Sequence, residues 1–281
     1  MPTFFEIVCQ TLDRADNDIK VERKDDKIRT RMEELTTLFR TAVLTEGGPD
    51  YGDAITRFAY VYKYVSANAD YVDGIIRKSP PIQEVLNRDK VSITCIGGGP
   101  GSDVLGFFKY FLEEDHSPHV KYFIMDKEPA WAETWSDLDD IITGDLRPSR
   151  NFVPFDIREP TTYEKFNRVF EADIFTMIYF LSEVFAHKDA VTRFLNTCFE
   201  RMKKGTLFIV IDFKNADLQS LIDQCAKEAG LQISRNSEET TFFMDPSEDK
   251  AALQKYADRF GIQPKIKSQV FFRLFRKPIG P

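Results

Sequence analysis

The chain has 281 residues, of which 42% are hydrophobic and 25 are phenylalanine, enough apolar side chains to build a sizeable core. It carries 38 basic and 45 acidic residues, a formal net charge of −7 at pH 7. These values exclude a disordered polyelectrolyte and a collagen-like repeat, and they argue against a protein that holds nucleic acid through a broad basic face.

The first ninety residues are predicted to be helical. Apolar residues at 28–43, including Ala42 and Val43, recur at spacings of three and four, which indicates one face of a helix. The glycine- and proline-containing stretch 46–49 ends this helix. A second helix is predicted around residues 55–62, and a short one over 82–86, after two prolines.

From residue 91 the pattern changes to short β-branched and aromatic runs that alternate with helical stretches. The predicted strands are 91–96, 121–125, 151–155, 174–179, 206–211 and 268–275, with a further strand at 231–233 or 241–243. Helices are predicted after residue 101 and over 188–202. Such alternation favours a parallel sheet covered on both faces. We therefore expect a helical segment, residues 1–90, followed by a sheet domain, residues 91–281.

The four cysteines, Cys9, Cys95, Cys198 and Cys225, lack the spacing of metal ligands, which predicts free thiols in a reducing compartment. The three histidines, His116, His119 and His187, likewise predict no metal site. No secretory signal precedes the helices, and no apolar stretch approaches the roughly 18 residues of a membrane span. The sequence thus predicts a soluble protein of the cytoplasm or nucleus, with no membrane partner.

The most informative stretch is the glycine-rich turn between the first strand and its helix. Gly97, Gly98, Gly99 and Gly101 let the backbone approach a ligand, and the helix start exposes amides to polar groups. A dinucleotide fingerprint fails because its last glycine is replaced by Ser102, and a phosphate-binding P-loop fails because no lysine follows. A tight turn without a ligand is the structural alternative.

The spacing of Gly97, Gly99 and Gly101 resembles the G-x-G-x-G motif of class I S-adenosylmethionine-dependent methyltransferases. The resemblance extends over roughly residues 91–277, because later strands carry matching segments in the same order. It implies an α/β, Rossmann-like fold: a seven-stranded, mostly parallel sheet with helices on both faces, here with an N-terminal helical extension. It also implies S-adenosyl-L-methionine as the cofactor.

The resemblance implies roles for residues at the strand ends. Asp126, followed by Lys127, matches the acid that accepts hydrogen bonds from the ribose hydroxyls. Asp156 and Ile157 match the segment that meets the adenine. Tyr179 and Glu183 match the loop beside the transferred methyl group. For each of these positions the alternative is a structural one: a solvated strand end, a turn or a core aromatic residue.

One position departs from the family pattern. The motif usually begins with an acid two residues before the first glycine, and this chain has Cys95 there. That acid helps to hold the amino group of the cofactor. Asp103 is the expected substitute, with capping of its own helix as the alternative.

Methyl transfer from a sulfonium requires mainly positioning and a water-poor cleft, so no fixed catalytic residue is expected. Tyr179 and Glu183 are the candidate catalytic residues. The helical segment 1–90 is expected to act as a lid over the cofactor and to recognise the substrate. Its residues Arg57, Tyr60 and Tyr64 are candidates for substrate binding, with simple helix packing as the alternative.

Three functions remain open. A small-molecule acceptor is favoured, because residues 91–215, which hold the motifs, carry a net charge of −6. An RNA acceptor is the second: two short segments, 95–101 and 179–183, resemble the fungal ribosomal RNA uridine-N3 methyltransferases. The third is a non-catalytic methyltransferase-like binding or activating protein, a reading that Cys95 supports. No oligomeric state is predicted.

Overall fold

The computed structural model describes residues 3–41, 48–114, 118–141 and 149–279. Its centre is a seven-stranded sheet. The strands are β1 Lys90–Ile96, β2 His119–Asp126, β3 Ser149–Pro154, β4 Ile174–Ile178, β5 Leu207–Phe213, β6 Gln232–Phe243 and β7 Lys267–Arg276.

The strand order is β3-β2-β1-β4-β5-β7-β6. β1 to β5 are parallel, whereas β7 is antiparallel to both β5 and β6. This arrangement confirms the predicted fold class, a mostly parallel Rossmann-like sheet. The order of the strands reverses between β1 and β4, and a crevice forms at such a point above the carboxyl ends of the strands.

Helices cover the sheet on both faces. They are α1 Phe4–Asp18, α2 Lys24–Leu38, α3 Ala54–Tyr60, α4 Ser66–Arg77, α5 Pro80–Leu86, α6 Ser102–Glu113, α7 Trp131–Ile141, α8 Asn167–Phe170, α9 Leu181–Val184, α10 Lys188–Arg201, α11 Ala216–Glu228 and α12 Gln254–Phe260. Within the described ranges, none of these helices is long and apolar enough to cross a membrane.

Local chemistry explains where the first helices begin. The Thr3 hydroxyl accepts from the Glu6 backbone N–H, and the Glu6 carboxylate accepts from the Thr3 N–H, so a capping box starts α1. The Asp53 side chain caps α3 in a similar way, accepting from two N–H groups of its first turn.

The predicted N-terminal helices are present, with two differences. α2 ends at Leu38 in a short 3-10 turn, and the predicted continuation to Ala42 and Val43, with part of the terminating stretch 46–49, lies outside the described residues. The second helix is longer than predicted, because α3 continues through a π-helical segment, Val61–Val65, directly into α4.

Alternate residues of the strands pack into two apolar cores. Ile209 and Ile211 of β5 join the core formed with α1 to α6, whereas Phe208 and Val210 join the core formed with α10 and α11. Gly106 allows α6 to cross α4 closely, since a Cβ there would lie 2.6 Å from the Ala69 carbonyl oxygen. The helices of the N-terminal segment therefore share a core with the sheet. Its role as a lid remains a prediction.

Two strand predictions differ in extent from the structure. The runs 231–233 and 241–243, predicted as alternatives, are the two ends of one long edge strand, β6, whose register shifts twice against β7. The predicted strand 174–179 ends at Ile178, because Tyr179 adopts a left-handed backbone conformation with φ 54°. That change of direction turns the chain into the crevice.

Candidate functional site

The glycine-rich turn lies at the carboxyl end of β1 and forms the floor of the crevice. Gly97 and Gly101 have φ values of +64° and +85°. A Cβ at Gly97 would lie 2.0 Å from the Phe180 ring, and one at Gly101 would lie 1.7 Å from the Trp135 ring. Neither position accepts a larger residue, because both the backbone conformation and the packing exclude a side chain. Gly98 continues the turn above Cys95.

Asp126 ends β2 beside this turn. Its Oδ2 accepts from the Gly99 N–H at 2.9 Å, and its Oδ1 accepts from the Glu128 N–H at 3.0 Å. Burial raises the pKa of this carboxyl group to about 6, so it is ionised at neutral pH. Each oxygen keeps a further lone pair for a ligand.

Both tryptophans of the chain lie against the turn, and neither was predicted as a site residue. The Trp135 Nε1 donates to the Gly99 carbonyl oxygen at 3.1 Å. Trp131 is 1% exposed, and its Nε1 has no hydrogen-bond partner among the described residues. A Cβ added to Gly99 would lie 3.4 Å from that Nε1 and 3.5 Å from the Asp126 Oδ2. A donor and an acceptor thus face the same space.

A cavity of about 300 Å³ opens above the turn. Its walls come from the ends of β1, β2 and β4 and from the segment around α3. The lining residues are Gly48, Pro49, Tyr51, Tyr60, Gly97, Gly99, Pro100, Asp126, Lys127, Trp131, Phe155, Asp156, Ile157, Arg158, Ile178, Tyr179, Phe180, Glu183, Val184, Ala186 and His187. The structure therefore brings the predicted strand-end residues into one wall.

One side of the cavity is formed by the chain after β3. Phe155 and Ile157 are buried and present apolar surface to the cavity. The Asp156 carboxylate is bound by Arg158, whose Nε lies 3.0 Å from Oδ1, and this contact lowers the pKa of Asp156. Lys127 lies at the exposed edge.

The opposite side is formed by the chain after β4. The Tyr51 hydroxyl, from the N-terminal segment, donates to the Glu183 Oε1 at 3.1 Å. Burial, together with the nearby charges of Asp126 and Asp212, raises the pKa of Glu183 to about 8. Asp212 itself is fully buried and accepts from the Ser182 N–H at 2.9 Å, which fixes the short helix α9 that carries Glu183.

Asp103 lies beneath the turn instead of in the cavity wall. It accepts hydrogen bonds from the Thr176 hydroxyl of β4 and from the Cys95 thiol. Burial raises its pKa to about 6. The carboxyl group that the sequence lacks at position 95 is thus supplied next to that position by α6, where it links the helix to the sheet.

The three predicted substrate-binding residues have different surroundings. Tyr60 lines the cavity, and its ring lies 5.1 Å from that of Tyr64, which is one layer behind. Arg57 points away: it donates to the Tyr51 and Gly52 carbonyl oxygens at 2.9 and 2.8 Å and pairs with Glu133. Arg57 therefore positions the segment that carries Tyr51.

The described residues contain no cluster of three side chains suited to hold a metal ion. His187 lies at the cavity edge and His119 starts β2, whereas His116 is outside the described residues. The four cysteines are free thiols.

Several solved structures of methyltransferases are similar to this chain. A candidate RNA methyltransferase of Pyrococcus horikoshii is 13% identical with a TM-score of 0.49, and the match covers 89% of this chain and 98% of that one. A precorrin-6y C5,15-methyltransferase of Geobacter metallireducens is 11% identical with a TM-score of 0.43, covering 74% and 89%. A candidate sarcosine dimethylglycine methyltransferase of Galdieria sulphuraria is 13% identical with a TM-score of 0.44, covering 89% and 99%.

No family model matches the chain, and neither does any curated protein. At such identities, and with TM-scores below 0.5, the similar structures describe a fold and indicate no acceptor. They give no support to the narrower resemblance to the fungal ribosomal RNA methyltransferases.

Proposed function

We propose that this protein transfers a methyl group from S-adenosylmethionine to a small-molecule acceptor. The observation that carries the proposal is the convergence of three features on one cavity: the glycine turn, the Asp126 carboxylate and the unpartnered Trp131 Nε1. All three lie where the strand order reverses, the place at which open α/β sheets bind ligands.

The residues fit the cofactor chemically. Vicinal ribose hydroxyls both donate and accept, so they match the Asp126 oxygens as acceptors and the Trp131 Nε1 as donor. Phe155 and Ile157 offer an apolar surface for the adenine ring beside Asp156. Above the turn, the absence of a Cβ at Gly99 leaves room for the cofactor to approach the backbone.

When bound, S-adenosylmethionine supplies a methyl group activated by its positive sulfur. The chain's own residues then have two tasks. Tyr60, Tyr179 and Phe180 line the cavity with aromatic surface and limit access of water. Glu183, oriented by the Tyr51 hydroxyl, accepts the proton that an acceptor of the form X–H releases as its methyl bond forms.

One observation supports a small acceptor. Of the basic residues after residue 264, which in sequence alternate with phenylalanines, Arg273, Arg276 and Lys277 are engaged within the protein. Arg273 is 1% exposed and pairs with Asp223 and Glu238, and the Lys277 Nζ donates to the Phe199 carbonyl oxygen.

RNA is the second candidate acceptor, and one observation favours it. A shallow groove joins the mouth of the cavity at Arg158 and His187, and it is also lined by Lys188 and Arg193. Arg158, Lys188 and Arg193 outnumber the carboxylates of Asp189 and of Asp156, which pairs with Arg158, so this rim keeps a positive charge although the protein as a whole is acidic.

Calorimetry with S-adenosylhomocysteine tests the cofactor assignment. We expect binding that Asp126→Ala weakens by about 1–3 kcal/mol, the scale for losing a charged acceptor, while Asp89→Ala, at an exposed position, leaves it unchanged. Failure of the unmutated protein to bind would contradict both enzymatic functions.

Labelled methyl transfer then separates the acceptors. The protein is incubated with methyl-labelled S-adenosylmethionine and either the low-molecular-weight fraction or the total RNA of one cell extract. We expect label in the small-molecule fraction. Label in RNA alone would establish the second candidate, and binding without transfer to either fraction would establish a non-catalytic binding protein.

A further inference from the structure

Two lysines lie against one tyrosine ring behind the cavity wall. The Nζ atoms of Lys63 and Lys265 lie 5.9 and 5.7 Å from the centroid of the Tyr64 ring. The Lys265 N–H donates to the Lys63 carbonyl oxygen at 2.9 Å, so the loop before β7 is tied to the π-helical segment Val61–Val65. The backbone thus ties together the two segments that carry these lysines.

Both ammonium groups are removed from water. Lys63 is 8% exposed. The Lys265 Nζ lies 4.5 Å from the centroid of the Tyr179 ring and 5.2 Å from that of Phe213, so rings surround it on three sides. Burial lowers the pKa of both lysines, that of Lys265 to about 7.

Their polar partners are neutral. The Lys63 Nζ donates to the Thr36 hydroxyl at 2.6 Å, and the Lys265 Nζ donates to the Tyr179 hydroxyl at 3.4 Å. In the part of the chain that the structure describes, neither lysine forms an ion pair with a carboxylate. The charge of Asp212 partly offsets the lowering of the Lys265 pKa, but its oxygens accept hydrogen bonds from backbone N–H groups and not from the lysine.

Other charges around the pair increase the positive potential. Arg40 lowers the pKa of Lys63, and Lys63 lowers that of Lys265. Two ammonium groups in a low-dielectric site, neither of them ion-paired with a carboxylate among the described residues, raise the free energy of the protein, and a bound anion would lower it. Cation–π contacts with the rings offset only part of this cost.

The pair lies directly behind two residues of the cavity wall. Tyr179 lines the cavity, and its ring makes a cation–π contact with the Lys265 Nζ. Tyr60 also lines the cavity, and its ring packs on that of Tyr64. Unusual backbone conformations meet here, the π-helical segment on one side and the left-handed Tyr179 on the other. Such conformations are found preferentially at functional sites.

We propose that Lys63 and Lys265 form an anion subsite that holds the acidic group, a carboxylate or a phosphate monoester, of the methyl acceptor. The acceptor role rests on the proposed function, whereas anion binding by the pair does not. A terminal acidic group of a small molecule suits this place, because Lys265 lies against Tyr179, which itself lines the cavity. The subsite defines the substrate class as a small acid.

The test uses inorganic phosphate and acetate as separate probes, at constant ionic strength set with sodium chloride. The melting temperature of the full chain is followed as each probe is titrated. We expect stabilisation of the unmutated protein, and apparent dissociation constants raised tenfold or more by Lys265→Met and by Lys63→Met. Methionine keeps an unbranched apolar stem against the rings but removes the charge. Lys204→Met, at an exposed site, is the matched control.

The two probes show which kind of anion the subsite takes. Stabilisation by phosphate, by acetate or by both, weakened in the two lysine variants, would support the subsite. Equal responses in all four proteins would overturn it. S-adenosylhomocysteine binding is measured in parallel. Its absence from the unmutated protein would refute the proposed function while the anion result stood, and its retention in the variants would show that the subsite is separate from the cofactor cavity.

A second measurement does not depend on any ligand. Because the pKa of Lys265 is lower in the folded than in the unfolded protein, its charge costs stability below about pH 7, and this cost disappears as the pH rises. Lys265→Met should therefore raise the melting temperature at pH 6 and have a smaller effect at pH 9. A lower melting temperature at pH 6 would show that the charge stabilises the fold, and would overturn the proposal.

Discussion

Glu183 is the residue whose surroundings differ most from those of an ordinary glutamate. It lies on the short helix after β4 and faces the cavity. Its carboxylate accepts a hydrogen bond from the Tyr51 hydroxyl, which belongs to the N-terminal segment. Burial raises its pKa to about 8, so at neutral pH the protonated acid predominates. A proton acceptor in this state becomes active as the pH rises.

The rate of methyl transfer should accordingly increase through about pH 8. A base must be deprotonated to act, and the fraction of ionised Glu183 grows as the pH passes its pKa. The pH–rate profile of Glu183→Gln should be flat over this range and lower throughout, with S-adenosylhomocysteine binding preserved. An unchanged profile in the variant would assign the titration to another group.

The two tryptophans offer a matched pair of variants. Both substitutions leave a gap at a buried site and should lower the melting temperature, but Trp131→Phe by less, since its Nε1 has no partner among the described residues, whereas Trp135→Phe also removes the bond to the Gly99 carbonyl oxygen. Trp131→Phe should in addition weaken S-adenosylhomocysteine binding by about 0.5–1.5 kcal/mol. Calorimetry and thermal unfolding distinguish the two, and equal binding by Trp131→Phe would remove its assigned contact.

For single residues, the sequence predicted correctly the placement of those that follow strands, and it predicted less well the placement of those on helices. Asp126 and Glu183 could be placed near the cavity because the carboxyl ends of parallel strands meet at one edge. Trp131 and Arg57 could not, because helical periodicity shows which face is buried but does not show which neighbour that face contacts. Arg57 consequently supports Tyr51 instead of lining the cavity.

Among the elements, the glycine turn has the strictest requirements. Gly97→Ala should destabilise the protein for two reasons: the backbone at this position is left-handed, and the new Cβ would overlap the Phe180 ring. Gly230→Ala is the control, because φ is +69° there and no atom lies within 4 Å. We expect the control to cost about 1–2 kcal/mol and Gly97→Ala about 1–3 kcal/mol more, measured by denaturant unfolding. Equal losses would show that Phe180 moves aside without cost.

The helical run Ala54–Arg77 contains a feature that the sequence pattern did not predict. The sequence predicts a helix over 55–62, and the structure extends it through the π-helical segment Val61–Val65. The apolar period of a helix tolerates one inserted residue, so the pattern does not reveal a π turn. That turn brings the Lys63 carbonyl oxygen to the loop that carries Lys265. The pattern also missed part of β6: the sequence predicted strands near its two ends, but it did not predict the exposed middle that joins them.

For the molecule as a whole, the distribution of charge matters more than its sum. The net charge of −7 argued against a polyanionic partner, and the ion pairs that neutralise the buried Arg273 agree with this argument. The structure nevertheless places three cations on one rim of the cavity and two lysines behind its wall. A small anion and a protein of negative charge are therefore compatible.

Binding of total RNA should be weak and should change little with salt. Phosphate contacts release counterions, and an interface that neutralises several phosphates gives a steep fall of affinity as salt rises. The measurement is retention of labelled RNA over a salt series, with Lys188→Gln as the variant that removes a rim cation. A steep slope that Lys188→Gln reduces would favour an RNA acceptor.

The sequence by itself determined the layered α/β architecture, the order of its strands and helices along the chain, and the strand ends that line the cavity. It could do so because strand and helix periods, glycine turns and strand-end acids are local signals. Only the tertiary structure decided the rest: that the buried Trp131 Nε1 has no partner among the described residues, that Tyr51 reaches Glu183, and that Lys63 and Lys265 share one ring. These contacts join residues distant in sequence, and burial by neighbours from other elements sets their pKa values.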